Sequence, residues 1–79
     1  MPFTTSDLEP DGWVQGTTFH AFNVARDGVP VGRVHVNLLT LQTQSVDPAE
    51  WVANKLNETE QHSGAAKLDD ALRSTLELG

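Results

Sequence analysis

The chain has 79 residues, a length that limits it to one small domain. It contains 11 acidic and 5 basic residues, which give a formal net charge of −6, and it has no cysteine. The lack of cysteine excludes disulfide bonds and cysteine–zinc sites, and the acidic balance argues against nucleic-acid binding, in which Lys and Arg neutralise phosphate. No apolar run approaches the ~20 residues that span a bilayer, and residues 1–10 lack a basic and apolar leader, so we expect a cytoplasmic protein that does not bind membranes.

Residues 1–12 are predicted to form an N-terminal arm outside regular structure. They contain two prolines, one glycine and three acidic residues, a composition typical of turns. Phe3 and Leu8 are the apolar side chains that the arm can contribute to packing. The remaining residues, 13–79, are predicted to form a single small α+β domain.

Residues 13–44 are predicted to form one long antiparallel β-hairpin. Its turn signal is Asp27-Gly28, which lies between runs rich in Val, Phe, Thr and Leu and suits a two-residue type I′ turn. In the register that such a turn gives, residues at equal distances before Asp27 and after Gly28 lie opposite each other. A three-residue turn with a glycine bulge is the alternative, and it shifts the pairing by one residue.

The symmetric register gives the hairpin two different faces. The core face carries Thr17, Phe19, Ala21, Val34, Val36 and Leu38. The outer face carries Thr18, His20, Phe22, Arg33, His35 and Asn37. On the outer face, His20 lies opposite His35, and Phe22 lies opposite Arg33. The apolar pattern changes parity at Leu38–Leu39, which we interpret as a bulge or a strong twist.

Two α-helices are predicted after the hairpin, at residues 47–62 and 65–78. The first begins with Asp47 at the N-cap, Pro48 at the first helical position and Glu50 completing a capping box. Apolar residues at helical spacing predict the second helix: Leu68, Leu72 and Leu76. The predicted fold is therefore α+β, with two helices packed on one face of the hairpin.

A two-stranded ribbon is only marginally stable in water, so the hairpin needs further support. Residues 1–12 or residues 39–45 could fold back as a third strand, or two copies of the chain could pair as a homodimer. The sequence leaves these alternatives open.

The sequence contains no motif for catalysis or for a cofactor. It has no Cys nucleophile, no GxSxG elbow and no Gly-rich phosphate loop. His20 and His35 could share a metal ion in the predicted register, but no spacing supplies the further ligands that a metal site needs. We expect no enzyme activity, no cofactor and no metal site, and a His-based metal or small-ligand binder is a further alternative.

The outer face of the hairpin is the candidate binding surface, because Arg and aromatic side chains are frequent anchors of protein–protein contacts. The predicted partner-binding residues are Phe22, Arg33, His35, His20, Asn37 and Arg26. Trp13 and Trp51 are either interface anchors or core residues. Residues 47–79 carry a net charge of −4, which either keeps the helices solvated or faces a basic partner.

Taken together, these features predict a small acidic, non-catalytic module that binds another protein as an inhibitor, adaptor or regulator. In size and composition the chain resembles the small acidic inhibitors that phages encode against bacterial machinery, which is a likeness of class rather than of motif. The alternative is a self-assembling structural homo-oligomer, in which several copies complete the sheet or the helical layer.

Overall fold

A computed structural model describes residues 2–42 and 44–79. The strands in these residues are β1 (Leu8–Trp13), β2 (Phe19–Arg26), β3 (Val29–Asn37) and β4 (Leu76–Leu78). The α-helices are α1 (Leu38–Gln42), α2 (Pro48–Ser63) and α3 (Ala65–Arg73), and a short 3₁₀ helix, Thr5–Asp7, precedes β1. The strands form one sheet in the order β1-β2-β3-β4, antiparallel except that β4 runs parallel to β3. The predicted α+β class, a hairpin widened by further strands with helices packed on it, is confirmed.

The third strand comes from the segment that was predicted to be an arm. Leu8–Trp13 pairs with β2, and a bulge interrupts the pairing at residues 11–12, where Gly12 has a φ of 88°. The segment before it is also held in place, because Phe3 N–H donates to Asn57 Oδ1 at 2.7 Å and Asn57 Nδ2 donates to Phe3 O at 3.0 Å. The prediction that residues 1–12 lie outside regular structure is therefore wrong for residues 8–12, and the alternative that this segment folds back as a third strand is confirmed.

The predicted two-residue turn is confirmed. Asp27 and Gly28 have φ values of 52° and 79°, and both central positions of a type I′ turn need positive φ. The first pairs beside the turn, beginning with Arg26 and Val29, follow the symmetric register.

A β-bulge at Val31 changes the register beyond those pairs. Val24 pairs with Gly32, which leaves Val31 as an extra residue on β3. Because successive side chains point to opposite faces, β3 keeps the two faces predicted for it, whereas those of β2 are reversed. Phe22 therefore lies on the core side, opposite Val34.

The core lies between this face of the sheet and the helices. Its buried side chains are Phe3, Leu8, Phe22, Val24, Val34, Val36, Leu41, Val52, Ala53, Leu56, Leu68 and Leu72. Every buried side chain of α1, α2 and α3 belongs to this cluster. In the described part of the chain, no buried helical side chain packs against the other face of the sheet, where Ala21 of β2 is nevertheless fully buried opposite His35.

The sheet and α3 approach each other closely at Gly32. A Cβ atom at this position would lie within 3.0 Å of the backbone O and C atoms and of the Cβ atom of Leu72. Only glycine leaves room for this contact, so Gly32 fixes how deeply α3 packs against β3.

The helix α2 begins at Pro48 and ends at Ser63, close to the predicted range. Asp47 occupies the N-cap position as predicted, but the predicted capping box is wrong because its side chain makes no cap hydrogen bond. None of the helices in residues 2–42 and 44–79 is both long enough and apolar enough to cross a membrane.

The last predicted helix ends early, at Arg73. Thr75 has a φ of 64°, and the chain then enters β4, in which Leu76 and Leu78 pack against the core. The alternation of these leucines with Glu77 is the pattern of a strand.

The predicted bulge at Leu38–Leu39 is wrong. The apolar pattern changes there because the helix α1 begins at Leu38, so Leu38–Gln42 does not add a strand to the sheet.

Candidate functional site

A row of polar side chains crosses the open face of the sheet, the face that lies away from the helices. At its centre, Arg33 Nη1 forms an ion pair with Asp11 Oδ2. The same nitrogen lies 3.4 Å from Asn23 Oδ1, and Arg33 Nε donates to His35 Nε2 at 3.4 Å. Asp11, Asn23, Arg33 and His35 are referred to below as the polar row.

The strand register explains why these side chains meet. Asn23 on β2 pairs with Arg33 on β3, and His35 follows two positions later on the same face. Glu9 pairs with Asn23, and Glu77 on β4 pairs with His35, so both carboxylates occupy positions beside the row. The polar row therefore draws on β1, β2 and β3, with β4 at its border.

The polar row is accessible and contributes little to folding. The side chains of Arg33 and Asp11 are 39% and 45% exposed. At this exposure solvent screens the ion pair, which contributes about 0–1 kcal/mol to stability. The row can therefore exchange its internal contacts for contacts with another molecule at small cost.

Arg33, His35 and Asn37 are the predicted site residues that lie on the open side of β3. Arg33 and His35 belong to the polar row, whereas Asn37 has a structural task. Its Oδ1 accepts hydrogen bonds from Leu39 N–H at 3.1 Å and from Thr18 Oγ1 at 2.9 Å. Asn37 thus caps the start of α1.

The predicted placement of Phe22 and His20 on the outer face is wrong, and the bulge at Val31 is the reason. Phe22 is 3% exposed and belongs to the core, so it does not lie against Arg33 as predicted. His20 pairs with Val36 instead of His35, and its ring centroid lies 4.9 Å from that of Phe22. The two histidines point to opposite faces of the sheet and do not form the predicted pair.

Arg26 is also on the helix side, so its predicted exposure on the binding surface is wrong. Its guanidinium forms an ion pair with Glu60 of α2 and lies 4.2 Å from the centroid of the Phe3 ring. The hydrogen bond from Arg26 holds the pKa of the Glu60 carboxyl below its ordinary value, although burial opposes this shift. The same bond raises the pKa of Arg26. Arg26 therefore ties β2 to α2 and to the N-terminal segment.

Sequence reasoning missed Asp11 and Asn23 as members of the site. Asp11 was missed because a third strand from residues 1–12 was only one of several alternatives and had no predicted register, and Asn23 because the faces of β2 were reversed. The two tryptophans also separate: Trp51 is partly buried against the core, whereas Trp13 is 65% exposed.

Comparisons of the chain with models of protein families, with curated proteins and with solved structures give no match. Within residues 2–42 and 44–79, no three His, Asp or Glu side chains are grouped so that they could hold a metal ion. The interpretation of the site therefore starts from its own geometry.

Proposed function

We propose that this chain is a small acidic binding module of the cytoplasm that recognises another protein through the open face of its sheet. In this proposal it acts as an inhibitor, adaptor or regulator and performs no catalysis. The observation that carries the proposal is the polar row on a sheet face that the described helices leave uncovered. An accessible arginine on such a face is a frequent anchor of protein–protein contacts.

The polar row offers donors and acceptors in a fixed arrangement. A guanidinium has five N–H donors, and the contacts within the row use Nη1 and Nε of Arg33. The Nη2 donors fit a carboxylate or a backbone carbonyl of a partner. Because Asp11, Asn23 and His35 already restrain the arginine, binding costs less side-chain entropy than it would for a free arginine.

The test compares capture of a partner by the wild type and by two variants. The tagged chain and the double variant Arg33→Ala/His35→Ala are incubated with lysate of the source cells, and captured proteins are identified by mass spectrometry. Arg73→Ala is the matched control, since it removes an exposed arginine from α3. The affinity of each form for the purified partner is then measured by calorimetry.

We expect the double variant to weaken binding at least tenfold, and Arg73→Ala to leave the affinity unchanged within about twofold. Circular dichroism should be the same for all three forms, because the lost ion pair contributes about 1 kcal/mol at most. A partner bound equally well by the double variant would contradict the use of the open face. Failure to capture any partner in stoichiometric amount would contradict the proposed function itself.

Self-assembly is the second candidate function, and the two edges of the sheet favour it. Within the described residues, β1 and β4 each pair with one neighbouring strand. However, β1 contains Pro10, which has no N–H to donate, and Leu76–Leu78 is short, so each edge offers few hydrogen bonds. A melting temperature that rises with protein concentration would support this candidate.

A further inference from the structure

A cavity lies between the start of β3 and the helix α3. It has a volume of about 280 Å³ and is lined by Val29, Pro30, Val31, Asp69 and Arg73. Pockets for drug-sized ligands enclose roughly 300–1,000 Å³, so this space suits a smaller molecule. It is referred to below as the α3 cavity, and none of its residues belongs to the polar row.

The position of α3 against the sheet brings its two charged lining residues together. Leu68 and Leu72 of α3 are buried in the core. Asp69 and Arg73 each follow one of these leucines, so they lie four residues apart on the neighbouring face of the helix. Side chains at this spacing are neighbours on a helix surface. The α3 cavity therefore presents one acidic and one basic side chain about one helical turn apart.

Neither of these two charges is neutralised by a contact. Within residues 2–42 and 44–79, Asp69 and Arg73 form no ion pair with each other or with another side chain. The Oδ1 atom of Asp69 is buried without a hydrogen-bond partner in the same residues. Arg26 attracts the Asp69 carboxylate through space, but its guanidinium is bound to Glu60. Because buried carboxylate oxygens normally accept hydrogen bonds, a donor that reaches Asp69 is strongly favoured.

The sheet side of the α3 cavity is apolar. Val29 is 62% exposed, Pro30 is also exposed, and Val31 is partly buried against the core. Proline and β-branched side chains have few accessible rotamers, so this wall loses little entropy when it is covered. An apolar wall with a small number of placed polar groups is typical of small-molecule sites.

We propose that the α3 cavity binds a free α-amino acid with an apolar side chain. The ammonium group of this ligand contacts Asp69, its carboxylate contacts Arg73, and its side chain covers Val29. Both polar contacts are charge-assisted, and arginine binds a carboxylate through two parallel N–H donors. The inference goes beyond the proposed function, which uses the opposite face of the sheet, so either can fail without the other.

The two opposite charges argue against other occupants. A lysine side chain of a partner protein would satisfy Asp69 but would be repelled by Arg73. A simple anion would satisfy Arg73 alone and would be repelled by a chain of net charge −6. Each terminus of a peptide carries one of the two charges, whereas a free amino acid carries both on adjacent groups and matches both side chains.

The experiment titrates the isotope-labelled full chain with L-leucine and follows its amide chemical shifts by NMR. Three related probes each lack one feature: L-leucinamide has no carboxylate, N-acetyl-L-leucine has no ammonium group, and glycine has no apolar side chain. We expect L-leucine to shift the amides of Val29, Val31 and α3 with a Kd of about 0.1–1 mM. Each of the three probes should bind at least about tenfold more weakly.

Two variants test the residues assigned to the ligand. Asp69→Asn and Arg73→Gln each remove one charge and keep a polar side chain, and each should weaken binding of L-leucine at least about tenfold. Asp70→Asn and Lys67→Gln are the matched controls, because both residues are exposed on α3 and do not line the cavity. Their affinities should stay within about twofold of the wild type.

The contrary outcomes are distinct. Without a saturable shift up to roughly 20 mM L-leucine, the inference is overturned. If L-leucinamide binds as well as L-leucine, Arg73 only balances the partial negative charge at the end of α3, and the zwitterion is the wrong ligand. If Asp69→Asn lowers the melting temperature and L-leucine raises that of no form, Asp69 serves Arg26 alone and no ligand site exists. None of these results affects capture of a partner through the open face.

Discussion

Replacing Gly32 by alanine will destabilise the fold by forcing α3 away from β3. The added Cβ would lie within 3.0 Å of the backbone O and C atoms of Leu72. Carbon atoms in normal contact are about 3.5–4.0 Å apart, so α3 must retreat by roughly 1 Å. This helix contributes Leu68 and Leu72 to the core, and both would lose contacts as it moves.

The expected cost lies at the upper end of the range for overpacking. Overpacked cores lose about 1–3 kcal/mol, and here the obstructing atoms belong to the backbone, which cannot change rotamer. We therefore expect a loss of about 3 kcal/mol. A chain of this length has a total stability of roughly 4–12 kcal/mol. At about 4–8 °C per kcal/mol, the melting temperature should fall by roughly 12–24 °C.

The measurement is urea unfolding followed by circular dichroism and tryptophan fluorescence, with the free energy of unfolding obtained by linear extrapolation. Gly16→Ala is the matched control. A Cβ at Gly16 meets nothing within 4 Å, but its φ of 80° makes an L-residue cost about 1–2 kcal/mol through the backbone alone. A Gly32→Ala variant within about 0.5 kcal/mol of the wild type would refute the close approach of α3 and β3.

Three further predictions test the core, the N-terminal segment and the Arg26–Glu60 contact. Phe22→Ala should lower the free energy of unfolding by about 3–5 kcal/mol in urea titrations, because the ring is buried. Asn57→Ala should cost about 1–2 kcal/mol and speed amide exchange of Phe3 in NMR, because it removes both hydrogen bonds to that residue. Glu60→Gln should lower the stability at neutral pH, and its stability should fall less than that of the wild type when the pH is lowered. Arg26 lowers the pKa of Glu60 in the folded chain, so the carboxylate stabilises the fold above its ordinary value of 4.5, and this contribution is lost as pH falls through the lowered pKa.

Each of these predictions has a contradicting result, and the Asn57 prediction also has a matched control. If Phe22→Ala had the stability of the wild type, burial of the Phe22 ring in the core would be contradicted, and the ring would belong to the outer face. Asn54→Ala, an exposed change on α2, should leave the exchange of the Phe3 amide unaltered; equal acceleration by both variants would argue against the specific contact. If the pH dependence of melting for Glu60→Gln ran parallel to that of the wild type, the lowered pKa of Glu60 would be contradicted.

The sequence was sufficient to predict the features of the fold that depend only on neighbouring residues. Asp27-Gly28 predicts its turn through positive φ, and Asp47-Pro48 predicts where α2 begins. The faces of β3 were also predictable, because Val34 and Val36 alternate with polar residues. Arg33 and His35 were therefore assigned correctly to an outer surface.

Features that depend on distant contacts could not be predicted in the same way. With a regular two-residue hairpin, Phe22 would face outward together with Arg33; the bulge at Val31 turns the ring into a core that α2 and α3 complete. Leu76 fits the helical spacing that follows Leu72, and only its pairing with β3 makes it part of a strand. The polar row was missed in part because Asp11 reaches it through β1.

Because Val31 is an extra residue in β3, its deletion would have a defined effect on the structure. An in-frame loss of its codon would leave Val24 opposite Gly32, so the same side chains would remain buried and the same ones exposed, apart from Val31 itself, which packs against the core. The hairpin would then be regular, and the local bend and added twist of a bulge would disappear. In the wild type, this bend and twist lie beside Gly32, where β3 contacts Leu72 of α3. Such a deletion would therefore alter the docking of the helix while leaving the division between interior and surface unchanged.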